Sequence, residues 1–155
     1  MGTERPSFDK VVEEHRELRD MIEKFRGFLG ERQPDIGDEQ LHGWAASLAR
    51  QLETLHDKLF LHFQEEEQVG VLEELAEQFP RAISAIKRLE DEHGQILGEV
   101  RNTVTASKIL AEGKPPSGPD LRDRAVSLLD QLAQHERVET DLMERLHCED
   151  LGTGD

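Results

Sequence analysis

The chain has 155 residues and a formal net charge of −15 at neutral pH, and this length suits one domain with a buried core. The acidity argues against nucleic acid as a partner, because phosphate contacts need clustered lysine and arginine, and it disfavours anionic membranes. No apolar run approaches the roughly 20 residues that span a bilayer, and the N-terminal segment lacks the apolar stretch of a signal peptide. Cys148 is the single cysteine, so no intramolecular disulfide can form, and we expect a cytoplasmic protein.

Composition favours helix, because glutamate, leucine, alanine, arginine and glutamine are abundant while valine, isoleucine and threonine are scattered. Four long stretches repeat apolar residues at alternating steps of three and four, which is typical of the seam of an antiparallel bundle. In chain order they cover residues 8–29, 41–69, 86–104 and 121–146. The sequence therefore predicts an all-α, up-down-up-down four-helix bundle, a single domain over residues 1–155 with a core of about 7–148.

The breaks between these stretches fall at residues that favour turns. Residues 30–37 and 113–119 are rich in glycine and proline and predict the first and last connections. A short extra helix is expected over residues 71–78, followed by a bend at Pro80, since proline fits a first helical turn. We expect the tail after His147 to be loose.

The apolar stripes carry a duplicated pattern of histidine and glutamate. Each copy has a lone histidine on one helix and a His-x-x-x-Glu pair on the next. The six residues are His15, His62 and Glu66 in the first copy and His93, His135 and Glu139 in the second. Residues four apart lie on one helical face, with Cβ atoms roughly 5–6 Å apart, so each pair can point at one centre. Because the rise per residue is about 1.5 Å, one layer of the bundle can hold all six, and the pattern predicts a two-metal site.

A second interpretation of these residues has to be weighed. A lone histidine on an apolar face is more often a hydrogen-bonded core residue than a ligand. Glu66 lies one turn from its helix end, where it can reach solvent. Glu139 is harder to explain, because Leu142 and Leu146 continue the stripe past it and a buried glutamate needs a partner. Taken in duplicate, the pattern favours metal ligands.

Other acidic and histidine residues near the pattern are interpreted as surface residues. Glu53-x-x-His56 and Glu144-x-x-His147 have the spacing of ferritin-like di-iron bundles, but both pairs flank the apolar stripes. The acidic residues that adjoin the six candidates are also expected to face solvent, since adjacent helical positions point about 100° apart. They are Glu14, Glu65, Glu67 and Glu92.

In this order of motifs the chain resembles the hemerythrin-like family, also called HHE cation-binding domains, over roughly residues 8–147. The resemblance implies a non-haem di-iron centre in which two imidazoles bind each iron, while two carboxylates and a solvent-derived oxo or hydroxo group bridge them. By position, His15 and His62 would bind one iron, His93 and His135 the other, and Glu66 and Glu139 would bridge. Zinc or manganese would also suit such donors.

The chain departs from oxygen-carrying hemerythrins at two positions. Those proteins have His-x-x-x-His on the third helix, whereas Leu97 stands at the second position here. They end with His-x-x-x-x-Asp on the fourth helix, whereas here Glu139 comes at four and Thr140 at five. The expected site is more symmetric, and both metals could be open to a small ligand.

We therefore expect a metal-binding protein that binds or senses dioxygen, nitric oxide or peroxide. The sequence favours this function over an enzymatic one. Two alternatives stay open. One is a di-iron enzyme with peroxidase, catalase-like or ferroxidase activity. The other is a metal-stabilised regulatory module whose acidic surface binds an unidentified protein partner.

Overall fold

The computed structural model describes residues 8–31, 38–68, 71–114 and 118–153, and helix accounts for nearly all of them. The elements, in chain order, are α1 (Phe8–Glu31), α2 (Asp38–Gln68), α3 (Val71–Gln78), a 3-10 turn (Pro80–Ala82), α4 (Ile83–Ala111) and α5 (Gly118–Thr153). The all-α prediction is confirmed, and the four long helices contain the four periodic stretches except residue 69, which lies outside the described residues. Among the described helices, none has the length and apolar character needed to cross a bilayer.

The apolar stripes of the long helices pack together into two clusters. The larger, which we call the main core, includes Leu18, Ile22, Leu59, Phe63, Ile96 and Leu132. The smaller, which we call the end core, lies where α3 and the 3-10 turn cover the bundle and consists of Leu72, Ala82, Ile86, Leu89, Leu142 and Leu146. Each fully buried leucine contributes roughly 1.5–3 kcal/mol relative to an exposed one, so these stripes supply much of the stability.

The connections are close to the predicted ones. α3 has the predicted bounds, and Pro80 lies in the first turn of the 3-10 segment. Gly113, directly after α4, has a φ of 83°, a left-handed backbone that glycine adopts without a Cβ penalty. Residues 32–37 and 115–117 of the predicted connections lie outside the described residues. The prediction of a loose tail was wrong, because α5 continues to Thr153, and the sequence has no glycine or proline between Leu146 and Leu151.

A polar layer separates the two cores. On α4, His93 lies between Leu89 of the end core and Ile96 of the main core. On α5, the polar positions lie between Leu132 of the main core and Leu142 of the end core. Polar side chains in this layer are therefore enclosed by apolar residues above and below, and they must find their partners in one another.

Candidate metal centre

All six candidate residues lie in this polar layer. Each is at most 5% exposed. The structure therefore brings together every side chain that the sequence singled out and leaves none of them facing solvent. Histidine and glutamate are rarely buried this deeply unless their polar atoms are satisfied by a partner.

The six side chains form two groups that share one carboxylate. The potential ligand atoms of His15, His62, Glu66 and Glu139 lie within 4.8 Å of one another, as do those of His93, His135 and Glu139. In each group the two imidazole rings meet edge to face. Their centroids are 5.1 Å apart in the first pair and 5.0 Å in the second, with an interplanar angle of 69° in both. The duplication in sequence is thus a duplication in geometry.

Glu139 faces both histidine pairs, each with a different oxygen. Its Oε1 lies 2.7 Å from His15 Nε2, and its Oε2 lies 3.4 Å from His135 Nε2 and 3.6 Å from His93 Nε2. Glu66 also reaches both pairs, because its Oε1 is 3.1 Å from His62 Nε2 and 3.6 Å from His93 Nε2. Both carboxylates lie between the two pairs.

The outer nitrogen of every one of these histidines contacts an oxygen on another helix. The Nδ1 contacts are His62 with Glu14 at 2.9 Å, His93 with Glu67 at 3.1 Å, His135 with Glu92 at 2.7 Å, and His15 with Thr140 at 2.7 Å. A carboxylate only accepts hydrogen bonds, so three of the rings donate from Nδ1. A neutral ring that donates from Nδ1 keeps a lone pair on Nε2, and Nε2 points into the polar layer.

The expectation that Glu14 and Glu92 face solvent was wrong. The turn of about 100° between adjacent helical positions rotates Glu14 away from the direction of its neighbour His15 and towards α2, where it meets His62. Glu92 reaches His135 on α5 in the same way. A signal for this role was present in the sequence, because a glutamate directly precedes the lone histidine in both copies.

The structure also shows what Glu67, Thr140 and Leu97 contact; the last two lie at the departures from the oxygen-carrier pattern. Glu67 bonds His93 although its side chain is 43% exposed, so it too is more than a solvated residue. Thr140 accepts or donates at the Nδ1 of His15. Leu97 is partly buried and packs against the main core.

Most inward atoms of the polar layer lack hydrogen-bond partners; His15 Nε2 and Glu139 Oε1, which contact each other, are the exceptions. The atoms without a partner include Nε2 of His62, His93 and His135, both oxygens of Glu66 and Oε2 of Glu139. A buried polar atom left in this state costs roughly 1–3 kcal/mol. Lone pairs that face one another repel, and one cation satisfies several of them at once. Imidazole nitrogen with carboxylate oxygen is a donor set that iron, zinc and manganese accept. The residues therefore fit a metal centre.

Sequence reasoning missed one buried carboxylate, Glu136. It is 2% exposed, and neither of its oxygens has a hydrogen-bond partner. Its Oε2 lies 3.2 Å from His15 Nε2 and its Oε1 lies 4.0 Å from His62 Nε2. A second stripe on α5 could have revealed it, since Leu129, Leu132, Glu136, Glu139 and Met143 follow at steps of three and four and are all buried.

Protonation of His15 and Glu66 offsets part of the negative charge of the polar layer. Burial alone would lower the pKa of His15, but its hydrogen bond to Glu139 and the nearby carboxylates of Glu66 and Glu136 raise it to about 9. Burial, together with the charge of Glu139, raises the pKa of Glu66 well above its usual value. Burial would raise the pKa of Glu139 as well, yet its close contacts with Glu66 and the neighbouring histidines hold it well below its usual value. A cation that enters the layer therefore competes with protons.

The ferritin-like spacing does not lead into this layer. His56 stacks on Phe60 and lies 3.5 Å from Arg101. Glu53 is paired with Lys108 at 2.8 Å. The side chain of His147 lies outside the described residues, and Glu144 is exposed.

The family model of the hemerythrin HHE cation binding domain matches residues 7–147. The match covers nearly the whole chain and includes all six candidate residues. Comparisons with curated proteins and with solved structures gave no significant match.

Proposed function

The chain belongs to the hemerythrin HHE cation-binding family, and from this premise we propose that it is a non-haem di-iron protein. A domain of this family implies metal binding, and two His/Glu groups offer ligand atoms. In the proposal His15 and His62 bind one iron and His93 and His135 the other. Glu66 and Glu139 bridge the two ions, because each carboxylate lies between the pairs.

The proposed scaffold is an up-down-up-down bundle. Among the described long helices, the main contacts join α1 with α2, α2 with α4, α4 with α5, and α5 with α1. These are the four neighbouring pairs of a bundle whose long helices follow one another around a ring. Short connections between sequential helices favour antiparallel neighbours, which supports the same arrangement.

One observation carries the proposal of a metal centre. Histidine nitrogens and carboxylate oxygens converge in a layer closed by apolar cores, and apart from the contact between His15 and Glu139 their inward atoms have no hydrogen-bond partner. Core histidines that serve only the fold would pair their inward nitrogens with hydroxyls or amides. Here the hydrogen bonds are on the outer nitrogens, which orients each ring and directs its lone pair inwards.

The surroundings favour a small ligand over an organic substrate. Bound iron would supply redox chemistry and coordination positions for such a ligand. A cavity of about 160 Å³ adjoins the outer edge of His62, lined by Glu14, Glu17, Leu18, Lys58, Leu61, His62 and Glu65. Pockets for organic ligands are usually roughly 300–1,000 Å³. We therefore propose dioxygen, nitric oxide or peroxide as the ligand class.

Metal analysis combined with optical spectra tests this function. Protein purified without oxygen should contain two iron ions per chain, and its spectrum should change when dioxygen or nitric oxide is added. The variant His62→Ala should lose one of the two iron ions, and its spectral response should differ from that of wild type. His56→Ala, on the same helix but outside the polar layer, should keep both and serves as the matched control. Wild-type protein with fewer than two metal ions per chain, or with no spectral response, would contradict the proposal.

A further inference from the structure

The two copies of the motif differ at the residue that follows the paired histidine. Phe63 follows His62, and Glu136 follows His135. Both side chains are buried, at 1% and 2% exposure. Corresponding positions of two otherwise matching copies therefore carry an aromatic ring in one and a carboxylate in the other.

Each of these residues lies against the histidines of the other copy: Phe63 contacts the pair His93/His135, and Glu136 contacts the pair His15/His62. The Phe63 ring stacks on His93, with centroids 3.9 Å apart and an interplanar angle of 6°, and it meets His135 edge to face at 5.6 Å. Glu136 faces His15 at 3.2 Å and His62 at 4.0 Å. The pair His15/His62 thus has an additional carboxylate beside it, whereas the pair His93/His135 has an apolar ring.

We propose that Glu136 is a seventh protein ligand of the centre, bound at the His15/His62 position, and that the exogenous ligand binds at the His93/His135 position beside Phe63. This inference rests on the proposed metal-binding function. It adds that the two metal positions differ in their number of protein ligands and in their access to the exogenous ligand.

Burial without a partner is the first argument. Among the described residues, no hydrogen bond reaches either oxygen of Glu136. The Nε2 of His15 can donate one hydrogen, and that hydrogen goes to Glu139 Oε1 at 2.7 Å. A buried carboxylate left without a donor destabilises the fold, and an apolar residue of similar size is often the more stable choice. Phe63 shows that the corresponding position of the other copy accepts an apolar residue.

The number of donors is the second argument. The His15/His62 position has two imidazoles with Glu66 and Glu139, and Glu136 brings the protein donors there to five. The His93/His135 position also has two imidazoles and two carboxylates. It has no fifth protein donor among the described residues, because Phe63 contributes no ligand atom. An exogenous ligand takes the position that the protein leaves open, and the apolar ring beside it limits the access of water.

Stepwise metal titration of the metal-free protein tests the role of Glu136. We would add Co²⁺ alone and follow visible absorption, which reports on coordination geometry. Wild-type protein should bind two ions in unequal steps. In Glu136→Gln, which keeps the shape and removes the charge, the tighter step should weaken at least on the order of 10–100-fold, the loss that even an outer hydrogen-bond partner causes. Glu144→Gln, an exposed change on the same helix, should titrate as wild type does.

Two readouts distinguish a ligand from a structural residue. Metal-free Glu136→Gln should show the same helical circular dichroism as metal-free wild type, so that a weaker tighter step reports a lost ligand and not a changed fold. Azide, added to the two-metal forms, should bind once per chain in wild type and twice in Glu136→Gln. An unchanged tighter step, or two azides in wild type, would each overturn the inference. Wild-type protein that does not bind two ions would overturn the proposed function itself.

Discussion

The two halves of the polar layer are built from the two copies of one motif, and they agree in most details. In both, the rings of the histidine pair meet at the same angle and at nearly the same distance. In both, the glutamate before the lone histidine bonds the paired histidine on the next helix, Glu14 to His62 and Glu92 to His135.

The halves differ at two places, each one helical position away from a candidate ligand. The outer nitrogen of His93 bonds the carboxylate of Glu67, whereas that of His15 bonds the hydroxyl of Thr140. Glu136 lies beside the first half, and Phe63 lies against the second.

The inward-facing atoms are alike in the two halves, whereas the residues beside them determine the charge of the histidine rings. His15 is the histidine whose two nitrogens both have hydrogen-bond partners, Thr140 and Glu139. It can therefore carry a second proton, which agrees with its raised pKa. In the other three rings, Nε2 has no partner and stays free for a cation.

The largest expected effect comes from removing the carboxylate that both halves share. In Glu139→Ala, both ligand groups lose a member, so we expect metal affinity to fall at both positions by on the order of 100-fold or more. A 100-fold loss removes about 2.7 kcal/mol of metal-linked stability, visible as a lower melting temperature at a fixed metal concentration. Glu144→Ala on the same helix is the control. Two ions bound with unchanged affinity would argue against a shared role.

The next test breaks one half at a time. His62→Ala should remove the ion of the first half and His135→Ala that of the second, because each imidazole lies in one of the two groups. Each variant should retain one metal ion per chain by elemental analysis, with a different optical spectrum of the Co²⁺ form in the two cases. Identical spectra for the two single-ion proteins would mean that the halves are equivalent, and the difference between Glu136 and Phe63 would then have no consequence.

A smaller effect is expected from the outer hydrogen bonds. Glu92→Gln and Glu14→Gln keep a side chain at His135 and His62 but remove the carboxylate charge that favours donation from Nδ1. Metal affinity should fall by on the order of 10-fold in each, at the low end of the range for such partners. Glu13→Gln, an exposed change on α1, should have no effect on the titration. Equal affinity in all three variants would show that these bonds only position surface side chains.

A separate test concerns the pH dependence of the metal-free protein. The pKa of His15 is raised in the folded chain from 6.5 to about 9. A raised pKa contributes stability that is fully present below the unfolded pKa and is lost as pH rises through the folded one. The melting temperature should therefore decrease as the pH rises from 6.5 to about 9. The fall should be weaker in His15→Gln, which lacks the imidazole, and in the metal-loaded protein, where the metal replaces the proton on Nε2 of His15. A melting temperature that rises with pH in this window would contradict the shift.

Local sequence patterns were sufficient for the helices and for the choice of candidate residues. Apolar residues at steps of three and four define which face of each helix is buried, and proline and glycine mark the breaks, so α3 and the turn at Pro80 could be placed in advance. The same spacing put six polar residues on the buried faces. Whether they meet depended on packing, and the structure brings their inward atoms together.

The tertiary structure decided which neighbouring residues contact the candidate ligands. Glu14, Glu92 and Glu136 each adjoin a candidate histidine in the chain, and each contacts a histidine on a different helix. A residue one position off the buried stripe points about 100° away from it. Whether that direction leads to solvent or to the next helix depends on how the helices are rotated and packed. The sequence by itself determined which residues turn inwards, and only the packing of the bundle decided which of their neighbours complete the polar layer.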